Sequence, residues 1–176
     1  MFRRSRYRHA ALVAATLALA APTATLAVEP LQQYDIVLLQ AGPVLEERVN
    51  GGADALGDYL KRLGEAATEA MRANPQQIPS SGFIVVALRP GGQSHTWFDF
   101  KPALMPATTA ALTKATESMA GAPVKSGNVV FALRVGLWGA KPPAAYAPAP
   151  QEWRDAAKAA GHKLELDTLI DQAWPR

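Results

Sequence analysis

The chain contains no cysteine. That excludes a disulfide framework, a thiol nucleophile, a cysteine-linked lipid anchor and every Cys-based metal site. Histidine is almost as scarce: His9, His95 and His162 are the three present. No Gly-x-Ser-x-Gly elbow frames a serine as a nucleophile, and Ser80, Ser81 and Ser94 stand at loop edges. Glu46 and Glu47 are adjacent, so on a helix they point in different directions and do not form an acid/base pair. Pro90-Gly91-Gly92 precedes no helix start and so does not build a phosphate loop. His95 and Asp99 share a strand face, but four strand residues separate them by roughly 13 Å, too far to share a metal unaided. The expectation is therefore a chain with no catalytic residue, no cofactor and no metal.

Long apolar runs are missing too. The uncharged Ala/Leu/Val run from Ala10 to Ala21 stops at Pro22, well short of the ~20 residues a bilayer core requires. Arg3, Arg4, Arg6 and Arg8 precede it, and the small residues of Thr25-Leu26-Ala27 follow. This is the three-part layout of a secretory signal peptide. Residues 1–27 are expected to be cleaved, leaving a periplasmic protein with no membrane span. Cleavage also reverses the charge. Of 18 Lys+Arg, the four arginines named lie before Ala27, while none of the 15 Asp+Glu does; 14 against 15 remain, a net charge of −1. The basic character of the whole chain thus resides in its leader. The remaining cations are scattered, without the clustered basic face that nucleic acid or an anionic membrane selects.

What is present is one domain of ordinary size with an apolar fraction of 49%, enough to build a core without staples. Tyr34 to Leu39 is a short apolar run, compatible with a strand or one or two helical turns. Ala53 to Ala73 is an amphipathic helix: Leu56, Leu60, Leu63, Ala67 and Met71 recur at three- and four-residue steps. Gly57 and Gly64, seven apart on one side, suggest close contact with a sheet, and Asn74-Pro75 ends the helix. Phe83 to Arg89 reads as a strand, Pro90-Gly91-Gly92 as its turn with positive-φ positions, and His95 to Phe100 as the return strand. His95, Trp97 and Asp99 share one of its faces, Thr96, Phe98 and Phe100 the other. Pro106 opens a second helix running to Ala120, with Gly121 at its cap and Pro123 beyond. Val129 to Trp138 is the longest strand.

The stretch Phe83-Ile84-Val85-Val86-Ala87-Leu88-Arg89-Pro90-Gly91-Gly92, then Phe98-Asp99-Phe100, Ala107-Thr108-Thr109-Ala110-Ala111-Leu112 and Pro123-Val124-Lys125, resembles the C-terminal domain of the TonB/TolA group. The resemblance implies an α+β fold over residues 28–139: a three-stranded antiparallel sheet, β-β-α-β, packed on the N-terminal amphipathic helix. It implies no catalytic residue. It implies instead a mode of partnership, in which a segment of an envelope protein adds a strand to an exposed sheet edge. Residues 140–150, rich in Pro and Ala, read as an extended linker. Residues 151–176 read as a helical C-terminal tail anchored by Trp153 and Trp174. The residues expected to meet the partner are Val130, Ala132, Arg134 and Trp138 on the last strand and Trp153 on the tail. The second reading is a small-ligand binder or hydrolase with its site near His95, Trp97 and Asp99.

Overall fold

In the computed structural model, residues 28–175 are described; the signal peptide expected over 1–27 lies outside them. The chain runs β1 (Leu31–Leu38), α1 (Gly42–Arg48), α2 (Gly52–Arg72), β2 (Ser80–Arg89), β3 (Gln93–Lys101), α3 (Pro106–Glu117), β4 (Val129–Leu137), α4 (Gln151–Ala160) and α5 (Leu166–Ala173). The strands form one sheet in the order β1-β4-β2-β3, with every neighbouring pair antiparallel. The expected β-β-α-β order is present, but the sheet has four strands rather than three. The short run around Ile36 becomes strand because β4 offers it a ladder from Leu31↔Leu137 to Leu38↔Phe131.

That pairing changes what β4 is. It lies inside the sheet, bonded to β1 on one side and β2 on the other. The expectation that the last strand offers a docking edge is therefore corrected: the free edges belong to β1 and β3. The apolar composition of β2 and β4 on both faces has the same cause, since a central strand covered above and below has no solvated side.

Both faces are covered. On one, α2 lays Leu56, Tyr59, Leu60, Leu63, Ala67 and Met71 against Ile84, Val86, Phe131, Leu133 and Leu137. Leu112 of α3 joins this core, and buried Asn74 ties the end of α2 to α3 through a 2.9 Å bond from Nδ2 to Thr108 Oγ1. On the other face, Phe83, Val85, Ala87, Trp97, Val130 and Ala132 are covered by Trp153 of α4 and Ile170 of α5. The helix layout thus differs from a sheet with a helix on one side and a tail. Instead α4 and α5 form a second helical layer, giving α/β/α. Residues 140–150 cross that second face as a strap. Arg134 donates to the carbonyl of Pro143, the N–H of Ala149 donates to Asp99 Oδ2 at 2.8 Å, and Pro148 and Pro150 are buried.

Local chemistry accounts for the breaks. Gly91 and Gly92 adopt φ of 79° and 76°, the left-handed geometry that the β2–β3 reversal requires. The helix after Pro106 stops at Glu117, short of the expected Ala120, and Gly121 does not cap it. Gly57 does not mark close contact: a Cβ there would meet nothing within 4 Å, and one at Gly64 would meet only the Gln33 side chain at 3.1 Å. The two glycines open a groove between α2 and β1 instead.

Candidate functional site

The two free edges are not equivalent. Along β1, a cavity of about 770 Å³ lies between the strand and α2, and a smaller apolar one of about 300 Å³ continues it past Ile36 and Leu38. This edge carries two devices that discourage an added strand. The register shifts between Gln33 and Asp35, so the ladder is irregular in its middle. Beyond the bulge, the Asp35 carboxylate accepts the N–H of Ile36 at 2.8 Å. Bulges and local side-chain capping are common means of blunting an edge.

Along β3 the arrangement differs. The N–H of Thr96 donates to Glu117 Oε1 at 3.2 Å, so Thr96 faces away from β2. Antiparallel alternation then aims the N–H and C=O of Phe98 outward as well. No described residue bonds the backbone of Phe98 on that side. A trough of about 500 Å³ runs beside it. One wall is Phe98, Phe100, Leu104, Thr109 and Thr113, from β3, α3 and the loop between them. The other is His95, Trp97, Asp99, Gln151, Glu152 and Arg154, from β3 and α4. The trough therefore has a floor of strand edge and a wall on each side of the sheet plane, so side chains of an added strand, alternating up and down, would each meet protein.

The residues named by the second reading do lie here, yet they do not converge. His95 bonds Glu117 Oε1 through Nδ1 at 2.8 Å. A carboxylate only accepts, so Nδ1 carries the proton. His95 also packs edge-on to Trp97, with centroids 4.6 Å apart, and lies 5.7 Å from the Trp174 ring. Burial holds its pKa below the usual histidine value despite the opposing pull of Glu117 and Glu152, leaving the ring neutral at pH 7. Asp99 is occupied with the strap. Among the described residues, no group of three or more His, Cys, Asp or Glu could hold a metal ion.

The other expected residues fall elsewhere. Val130 and Ala132 are buried beneath α4 and α5 in the same cluster as Trp153, which packs edge-on to Trp97 at 5.6 Å. Arg134 holds the strap, and Trp138, at a φ of 46°, closes the opposite core just after β4. None of these five lies on a free sheet edge: Val130, Ala132, Trp138 and Trp153 are buried, and Arg134 is half-buried. Phe98, Leu104, Thr113 and Glu152 are the residues missed. The legible signal for them was the doubly apolar character of β4, which marks an interior strand and leaves the edge to the half-polar return strand.

A polar latch fixes α5. Arg48 donates to both Asp167 oxygens at 2.9 and 2.7 Å and to the carbonyl of Asn128 at 2.6 Å. Arg89 donates to Asn128 Oδ1 at 2.9 Å, pairs with Asp171 and lies 3.8 Å over the Trp174 ring. Hydrogen bonding from Arg48 holds the Asp167 carboxyl below its ordinary value. A depressed carboxylate contributes stability that is present above its unfolded pKa of about 3.9 and lost as pH falls through the folded value. Because Asp167 is part-exposed, the contribution is about 1 kcal/mol or less. The substitution Asp167→Asn is expected to remove that acid-side slope, measured as denaturant midpoint against pH, and to leave the neutral-to-alkaline part of the curve parallel to wild type.

Compared with protein-family models, curated proteins and solved structures, the chain has no match. Among the described residues, no helix is long and apolar enough to cross a membrane. The fold and the trough define an α/β/α domain with one open, walled sheet edge.

Proposed function

We propose that this protein is a non-catalytic interaction domain of the periplasm, which binds an extended segment of an envelope protein by strand addition to β3. The observation that carries this reading is the outward, unbonded backbone of Phe98 at the floor of a trough walled by α3 and α4. Backbone bonds give such a site affinity, and pockets for alternate side chains give it selectivity. The strand–turn–strand–helix–strand order that resembles the TonB/TolA group supports the same mode, on β3 rather than on the last strand. The export signal read in residues 1–27 supports the compartment.

The test uses a displayed library of random linear peptides selected on the mature protein. Selected peptides should bind wild type and Phe98→Leu, which keeps the outward N–H and most of the apolar contact. They should bind Phe98→Pro at least about ten-fold more weakly, since it loses that donor while the β2 ladder survives. Equal loss in both variants, or undiminished binding by Phe98→Pro in a folded protein, overturns the reading.

A further inference from the structure

We infer that the segment received by the β3 trough is basic: an extended peptide carrying lysine or arginine at alternate positions, with apolar residues between them. This rests on the strand-addition reading and adds to it the chemistry of the partner.

The argument begins with the period of two. A strand laid against β3 sends successive side chains to opposite sides of the sheet. On one side they meet Phe98, Phe100, Leu104 and Thr113, an apolar wall with hydroxyls at its rim. On the other they meet Trp97, Asp99 and Glu152, where the electrostatics differ. Glu152 has no hydrogen-bonded partner among the described residues, and Asp99 accepts only the backbone N–H of Ala149. Glu117, just behind the edge, adds a third carboxylate, spent on His95 and Thr96. The single cation of the trough, Arg154, bonds the neutral carbonyl of Ala149 and Gln151 Oε1 rather than either acid, and its one charge is outnumbered by those of Asp99 and Glu152. His95 is uncharged at neutral pH for the reason given above. The α4 side of the trough is therefore net negative, which attracts a cation. An acidic strand would instead place its carboxylates against Asp99 and Glu152, and like-charge juxtaposition rejects it.

The experiment titrates three synthetic peptides into the mature protein at low and at high salt. Each alternates valine with lysine, serine or glutamate, and binding is followed by calorimetry and by tryptophan emission. The lysine peptide is expected to bind about ten-fold more tightly than the serine peptide, with the advantage lost in high salt and the glutamate peptide weakest. In Glu152→Lys, an exposed change in the first turn of α4, the order of the lysine and glutamate peptides should narrow or reverse. If serine and lysine peptides bind equally well, strand addition stands and the basic partner is wrong. If none of the three binds at any salt, strand addition to β3 falls and the inference with it. If the glutamate peptide binds best, the charge argument is overturned outright.

Discussion

A chain ending at Gly139 is expected not to fold to a soluble monomer. Removing the strap, α4 and α5 would expose Phe83, Val85, Ala87, Trp97, Val130 and Ala132 together on one flat sheet face. Each large side chain among them is worth about 1.5–3 kcal/mol in burial. The combined loss is on the order of 10 kcal/mol, comparable to the 5–15 kcal/mol that holds a domain of this kind together. An apolar face of that extent also drives association. Circular dichroism and light scattering of the truncated protein decide the matter. A cooperative melt from a monomer would show that residues 140–175 are an independent appendage rather than the second covering layer.

The second large effect concerns one glycine. A Cβ built on Gly82 would lie 2.0 Å from the carbonyl oxygen of Asp99 and 2.6 Å from the Cα of Phe100. Both atoms belong to backbone, so no rotamer change relieves the clash. Either β3 moves off β2 or the ladder from Ser81↔Lys101 to Phe83↔Asp99 opens. Glycine inside a strand often marks such a close approach. The expected cost of Gly82→Ala is about 3 kcal/mol or more, at or above the upper end for overpacking. Since β3 carries the open edge, binding of selected peptides should weaken along with stability. The contrasting substitution is Gly57→Ala, in the interior of α2 where the added methyl meets nothing within 4 Å. Helix propensity alone predicts a gain of about 0.5–1 kcal/mol there. Denaturant midpoints of the two variants should therefore move in opposite directions from wild type.

Much of the fold was legible because its signals are local. The spacing of Leu56, Leu60, Leu63 and Met71 depends only on helical period, and it located α2 to within a residue or so. The Pro90-Gly91-Gly92 reversal was legible because its two positive-φ positions suit glycine. The partition of β3 into a His95/Trp97 face and a Phe98/Phe100 face followed from the strand period, and these residues do sit in opposite cores or trough walls. What was not legible is long-range. Tyr34 to Leu39 is too short for periodicity to assign, and its strand character comes from pairing with β4 about a hundred residues later in the chain. Once β1 takes that side of β4, the last strand becomes interior, its edge passes to the bulged β1, and β3 is left as the open edge. The candidate site moved with it, from Val130, Ala132 and Arg134 to Phe98 and its walls. One clue pointed the right way: Phe83, Val85 and Ala87 are as apolar as Ile84, Val86 and Leu88 between them, so two layers had to cover β2. The sequence of α4, with Trp153 as its single large apolar residue, did not say which face it would close.

The openness of the β3 edge is most directly tested by amide hydrogen exchange at Phe98. In the free protein this N–H should exchange fast while those of Trp97 and Asp99, turned into the β2 ladder, are protected. On saturation with the alternating valine–lysine peptide, protection should rise at Phe98 and stay unchanged at Ile36 on the opposite edge. Protection of Phe98 already present in the free protein, or protection appearing at Ile36 instead, would contradict strand addition to β3.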